Sequence, residues 1–451
     1  MTFRRLALFF LLLPGYLLGQ SASQSLAPES SGSKALPSAP LPQEKAGAPS
    51  SLAKTEGPPL ELSLADAIAM AQQNSPRLHE ASAITQRVTS AARTASAYTN
   101  PSIEVYGGHQ SARPVPTPGA PGLLQHYAAS QTIEIPLERH ARQRAARLNI
   151  ASSRSAAQAV TLSVVADVKH TFYAALHRRQ QIQHAEENLH LVEDLRHRVE
   201  VEVRVGEKGR LELTRTEAEL ARAQFAVRSA QLEYANAIAL LRVTIAAPAN
   251  AELDPEGQLE SRRTLPPLKE LREHVLRSYP SVIQSQVDIQ AARATLDRER
   301  ALRIPQPTAF AEYENQPDLR FWRAGVNISI PLWDHRQGQI GEAKAAISQA
   351  SAVLDQRRLE LISALERAYE QYQLADQQTT SLEAGSLHAA ESAVDAAKNA
   401  YRFGERGIVE VLDAQRVLQN VRGDLLDAQF ARQSALVDLE ELGAVAPEAR
   451  P

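Results

Sequence analysis

Gly206-Glu207-Lys208-Gly209-Arg210-Leu211-Glu212-Leu213 returns further along the chain as Gly404-Glu405-Arg406-Gly407-Ile408-Val409-Glu410-Val411. Working outward from this pair, other landmarks repeat in the same order. Ile133-Glu134-Ile135-Pro136-Leu137 matches Ile328-Ser329-Ile330-Pro331-Leu332. Leu64 and Pro76 match Leu268 and Pro280, and Asn100-Pro101 matches Ile304-Pro305. All the shifts fall between about 195 and 204 residues, so the chain is internally duplicated. Each half reads as helix, strand, strand, very long helix, tight turn, helix. That order suits the wall of a tube better than a globular pocket.

Proline is absent from Leu137 to Ala247 and from Leu332 to Ala446, and both stretches are rich in good helix formers. Each therefore predicts a helix of roughly 70 residues, about 100 Å long, then the glycine turn, then a helix of roughly 36 residues. Helices 210–245 and 268–303 placed end to end match 137–204 in length. Helices 408–443 and 63–99 match 332–403 in the same way. Along 210–245, Leu213, Leu220, Val227, Tyr234 and Leu241 form one apolar row. Leu211, Ala218, Phe225 and Leu232 form a second row on the opposite side. A helix apolar on two sides calls for a neighbour on each.

Between Trp322 and Ile330, residues Trp322, Ala324, Val326, Ile328 and Ile330 alternate with Arg323, Gly325, Asn327 and Ser329. Tyr127, Ala129, Ile133 and Ile135 likewise face away from Ser130, Thr132 and Glu134. Short segments apolar on one side and polar on the other predict membrane strands at 102–109, 126–135, 306–314 and 322–331. Trp322 and Trp333 sit where an aromatic girdle would place them. A barrel around a pore takes at least about eight strands, so four require oligomerisation. Three copies would give about twelve.

Arg4-Arg5, the apolar run Leu6 to Leu13, and small residues from Gly19 to Ser23 predict a signal peptide over 1–23. Residues 24–60 read as a flexible Ser/Ala/Pro-rich tether, 61–245 as the first repeat and 246–267 as a connector at mid-height. Residues 268–443 read as the second repeat and 444–451 as a tail. The chain has no cysteine, which excludes disulfides, thiolate metal sites and a lipid on an N-terminal Cys. The formal net charge of −3 gives no footprint for nucleic acid. No catalytic constellation or phosphate loop is visible. The 12 histidines are scattered and form no ligand cluster in the sequence, so no metal site and no cofactor is expected.

Taken together, these landmarks resemble the TolC family of outer-membrane efflux proteins. The resemblance runs from about Leu62 to Leu442. It rests on Leu62-Ser63-Leu64-Ala65-Asp66-Ala67 with Asn74-Ser75-Pro76, the Asn100-Pro101 start of a strand, both Ile-Pro-Leu strand ends, and Tyr401-Arg402-Phe403-Gly404-Glu405-Arg406-Gly407 running into Ile408 to Ala414. It implies a mainly α fold with a small β part, built as a homotrimer. Duplicated helical hairpins would form an α-barrel tunnel, and four strands per chain would form a 12-stranded outer-membrane β-barrel embedded in lipid. It also implies a periplasmic adaptor protein and an inner-membrane pump of the RND type as partners. The opening and the Asn-Pro-x-Ile-Glu motif look closest to the heavy-metal branch.

The same resemblance assigns roles near the turns. Glu410 and Asp413 match positions lining the periplasmic constriction. Tyr401 and Arg406 match positions that hold neighbouring hairpins closed, with Glu212 as their acidic partner. Gly206, Lys208, Gly209, Gly404, Arg406 and Gly407 would form the tip that meets the adaptor. Type I protein secretion, or an exported coiled-coil scaffold or adhesin, are the competing readings.

Overall fold

The computed structural model describes residues 60–111, 121–259, 262–317 and 319–446. The expected signal peptide, the tether but for its last residue, most of the loop 110–125 and the end of the tail lie outside the described residues. The first half runs β1 (Leu60–Leu62), α1 (Leu64–Asn74), α2 (Pro76–Ser96), β2 (Ser102–Gln110), β3 (Gly122–Thr132), α3 (Pro136–Arg204) and α4 (Arg210–Thr244). The second runs β4 (Leu253–Pro255), α5 (Leu268–Ser278), α6 (Pro280–Ala301), β5 (Pro307–Asn315) and β6 (Arg320–Ile328). It continues with α7 (Gln337–Ser381), a π turn (Leu382–Ser386), α8 (Leu387–Arg402) and α9 (Ile408–Glu441).

Local chemistry sets these boundaries. Ser63 caps α1, its Oγ accepting from the Asp66 N–H at 3.2 Å. The single helices expected over 63–99 and 268–303 each break in two. Pro76 and Pro280 lack an N–H and force the residue before them into extended backbone, Ser75 at ψ 120° and Tyr279 at ψ 127°. The long helix of the second half begins at Gln337 rather than at Leu332, behind Arg336 at φ 58°. The strands expected at 126–135 and 322–331 are shifted toward their hairpin loops, so Ile135 and Ile330 lie beyond the ladder.

Four helices end in one motif. After α3, the Gly206 N–H reaches Val203 O and the Glu207 N–H reaches Glu202 O. After α8, Gly404 reaches Tyr401 O and Glu405 reaches Ala400 O. This paired closure puts its middle residue in the left-handed region, φ 84° at Gly206 and 72° at Gly404. Gly443 (φ 67°) ends α9 in the same way. At the matching end of α4 the residue is Ala246, at φ 52°.

With 69 residues, α3 spans about 104 Å and is the spine. Both α4 and α6 pack along it, whereas α5, the first part of the expected helix 268–303, packs on α7 and α6. Glu138, 2% exposed, ties its start to Arg298 of α6 at 3.1 Å. The α9 helix packs on α7, α8 and α3. Within one chain α1 and α2 pack on α3. One core joins Phe172, Leu176, Leu241 and Ile245 to Leu62 and Ala67. Another joins Leu271, Val275, Leu361, Leu365 and Leu439. Burying each such large side chain contributes about 1.5–3 kcal/mol. The parallel pair β1–β4, which the sequence reading did not anticipate, clips the start of the first repeat to the connector.

The other four strands form one antiparallel sheet in the order β2-β3-β5-β6. Directly paired residues share a face. Val105, Tyr127, Tyr313 and Trp322 line up across it, as do Ile103, Ala129, Ala311 and Ala324. Ile103 is 77% exposed and Trp322 78%. The opposite face carries Glu104, Ala128, Glu312 and Arg323 in one row and Tyr106, His126, Glu314 and Phe321 in the next. No described helix is long and apolar enough to cross a membrane.

Candidate functional site

The two glycine turns lie together, although nearly 200 residues separate them. Leu195, Val199 and Val203 of α3, Leu213 of α4, Tyr401 of α8, and Ile408 and Val411 of α9 make one small core beneath both. Tyr401 is its polar hub, 8% exposed. Its hydroxyl donates to Glu202 Oε2, and Lys208 Nζ stands 5.0 Å from its ring centroid. Burial pushes the phenol well above its ordinary range, helped by the hydrogen bond and charge of Glu202 and by the charge of Glu212. Tyr401 is therefore a neutral donor at any physiological pH.

The remaining residues singled out from sequence sit around this hub. Arg406 lies 3.9 Å from Glu410, one turn along the α8–α9 corner. Asp413 pairs with Arg416 at 3.2 Å, and Arg416 reaches across to Glu219 of α4 at 3.6 Å. Glu212 Oε2 is buried with no hydrogen-bond partner among the described residues. Within one chain Arg406 thus faces Glu410 rather than Glu212. Gly209 and Gly407 precede α4 and α9 with extended backbone, ψ 151° and 172°, so the left-handed positions are confined to Gly206 and Gly404.

Sequence reasoning missed Glu202 as the acceptor for Tyr401, and it missed the Arg416–Glu219 tie. Neither pair has a local spacing signal, because each bridges the two hairpins. The scattered histidines also conceal a grouping: His126 lies beside Glu312 and Glu314 on the polar face of the sheet.

Two helical hairpins joined to one sheet of amphipathic strands make an arrangement that known proteins share. The profile of the outer membrane efflux protein family matches residues 67–247 and 271–444. The chain belongs to that family. The cobalt-zinc-cadmium resistance protein CzcC of Cupriavidus metallidurans is 27% identical over 338 residues, covering 70% of this chain and 78% of that protein. Protein CyaE of Bordetella pertussis is 28% identical over 330 residues, covering 68% of this chain and 69% of its own. The crystal structure of CusC superposes with a TM-score of 0.74 at 20% identity, over 85% of this chain and 92% of that one. The open-state channel MtrE of Neisseria gonorrhoeae gives 0.71 at 18% identity, over 84% and 88%.

Membership in the outer membrane efflux protein family fixes the setting. The sheet is the chain's share of an outer-membrane β-barrel, and the helices form its share of a periplasmic tunnel. Trp322 and Tyr127 stand on the sheet's exposed aromatic and aliphatic face, the kind of surface that a membrane barrel turns to lipid. Family and fold are those of channels rather than of enzymes.

Proposed function

We propose that this outer-membrane efflux channel works as a homotrimer, the exit duct for divalent metal cations delivered by an inner-membrane pump of the RND type and a periplasmic adaptor. One observation carries the oligomer: among the described residues β2 and β6 each end the sheet with an unpaired edge, and four strands cannot close a pore, whereas three copies would supply about twelve. The second apolar row of α4 agrees. Leu211, Phe225 and Leu232 are exposed in one chain, with Phe225 at 72%, which calls for a neighbouring copy. Metal cargo is favoured by the likeness to CzcC and by the "cation efflux system protein" CusC, 25% identical over 303 residues.

On this reading Tyr401, Glu202 and Lys208 brace each pair of hairpins. Arg406 of one copy meets Glu212 of the next, and Glu410 and Asp413 ring the narrow end, where acidic rings concentrate cations. The turns at 206–209 and 404–407 face the adaptor. Deleting the gene should sensitise cells to Zn²⁺, Co²⁺ or Cd²⁺, and the intact gene should restore tolerance. In planar bilayers Arg406→Ser and Glu212→Lys should raise conductance. Glu410→Ala with Asp413→Ala should abolish block by multivalent cations. Unaltered metal tolerance would refute the cargo, and unaltered currents in all these variants would refute the gate.

A further inference from the structure

We propose that His126, Glu312 and Glu314 form a binding site for a borderline divalent cation such as Zn²⁺ or Co²⁺ on the polar face of the sheet. Strand register builds the grouping. His126 and Glu314 are direct partners across β3–β5, and Glu312 is two residues away on the same face. One nitrogen of His126 and one oxygen from each carboxylate lie within 4.8 Å of one another. His126 Nδ1 is already 3.9 Å from Glu314 Oε2. Ligand atoms around a tetrahedral Zn²⁺ stand about 3.4 Å apart, given bonds of about 2.0–2.1 Å, so shifts of about an ångström close the site.

The histidine is placed for a ligand. It is 8% exposed, and among the described residues its Nδ1 has no hydrogen-bond partner. The Tyr106 ring stacks on the imidazole at 4.2 Å and 12°, which fixes its plane. A buried, oriented and unpaired imidazole nitrogen is costly unless something binds it. Arg323 approaches Glu312 Oε1 at 2.6 Å, yet that oxygen lacks a well-directed hydrogen bond. The Arg323 side chain is 63% exposed, so its guanidinium can withdraw into water without burying a charge. Gln316 Nε2 donates to Glu314 Oε1 at 2.5 Å and leaves Oε2 free for the cation.

The donor set selects the cation class. One imidazole and two carboxylates suit Zn²⁺, Co²⁺ and their neighbours. Soft cations prefer thiolates and thioethers, and the chain has no Cys and 2 Met. The reading of this face as the lumen wall locates the site on the exit path near the outer mouth. Binding itself is independent of that reading and of the cargo.

The test uses purified full-length protein in detergent, titrated with Zn²⁺ by calorimetry and with Co²⁺ by visible absorption. The parent should bind, with Co²⁺ bands showing nitrogen coordination. His126→Ala and Glu314→Gln should each weaken binding by at least about tenfold. Glu104→Gln, on the same face outside the cluster, should leave it unchanged. Arg323→Gln should tighten it by releasing Glu312. Far-UV circular dichroism and size-exclusion profiles identify any variant that fails to fold, and Arg323→Gln keeps the proposal exposed in that event. Undiminished binding in His126→Ala, no tightening in Arg323→Gln, or preference for Ca²⁺ over Zn²⁺ would overturn it. Unaltered metal tolerance in gene-deleted cells bears on the cargo alone.

Discussion

Ala246 occupies a position that its duplicate gives to glycine. At φ 52° its Cβ crowds the following carbonyl, whereas Gly443 at φ 67° closes α9 without that clash. Left-handed backbone costs a non-glycine residue about 1–2 kcal/mol. Ala246→Gly should therefore stabilise the fold by about 1 kcal/mol, visible as a higher melting temperature; an unchanged or lower value would remove the strain argument. His177 gives a pH-dependent counterpart. Burial holds its imidazole below the ordinary value of 6.5, against the pull of Asp427 at 2.8 Å. The unfolded chain then binds more protons in acid. This stabilisation is complete above about pH 6.5 and is lost as pH falls through the folded value. Melting temperature should drop on acidification toward pH 5, and His177→Gln should flatten part of that drop. An equal drop in both proteins would assign it to other groups.

At the scale of elements, periodicity and punctuation made most of the fold legible. The proline-free runs became the long helices, and the alternating segments became the sheet. The repeated Gly-Glu-basic-Gly turn became paired helix closures of one kind. What stayed hidden was non-local. The β1–β4 clip joins residues almost two hundred positions apart, and the π turn at Leu382–Ser386 carries no proline to announce it. The candidate site divides the same way. The glycines could be read from the repeat and the acids after the turns from the family resemblance, but the Tyr401–Glu202 bond and the approach of His126 to Glu312 exist only once hairpins and strands are side by side. The alternation remains testable in place. Spin labels at Val326 and Ile328, which pair with Ala309 and Pro307, should report lipid, and a label at Asn327, opposite Thr308, should report water. Equal accessibility at all three would place the sheet outside the bilayer.

At the scale of the whole molecule, the exposed row on α4 and the open sheet edges ask for the same remedy. Phe225→Glu puts a charge where Leu211 and Leu232 continue an apolar stripe. Desolvating that carboxylate between copies would cost several kcal/mol. Light scattering after size exclusion should find the parent as a trimer and Phe225→Glu as smaller species. A trimer that survives the substitution would locate the contact on another face.

The bare edges of β2 and β6 also bear on how the chain reaches the membrane. Its helices bury four clusters of apolar side chains within one chain, so a lone copy can acquire most of its order soon after export. On the trimeric reading its sheet cannot, because backbone groups at both margins would stay wet until other copies arrive. Lipid insertion would then be gated by encounter rather than by folding. At low expression the waiting copies would accumulate in the periplasm as soluble, helical, protease-sensitive precursors. Membrane yield would rise more steeply than in proportion to synthesis, a dosage threshold set by geometry.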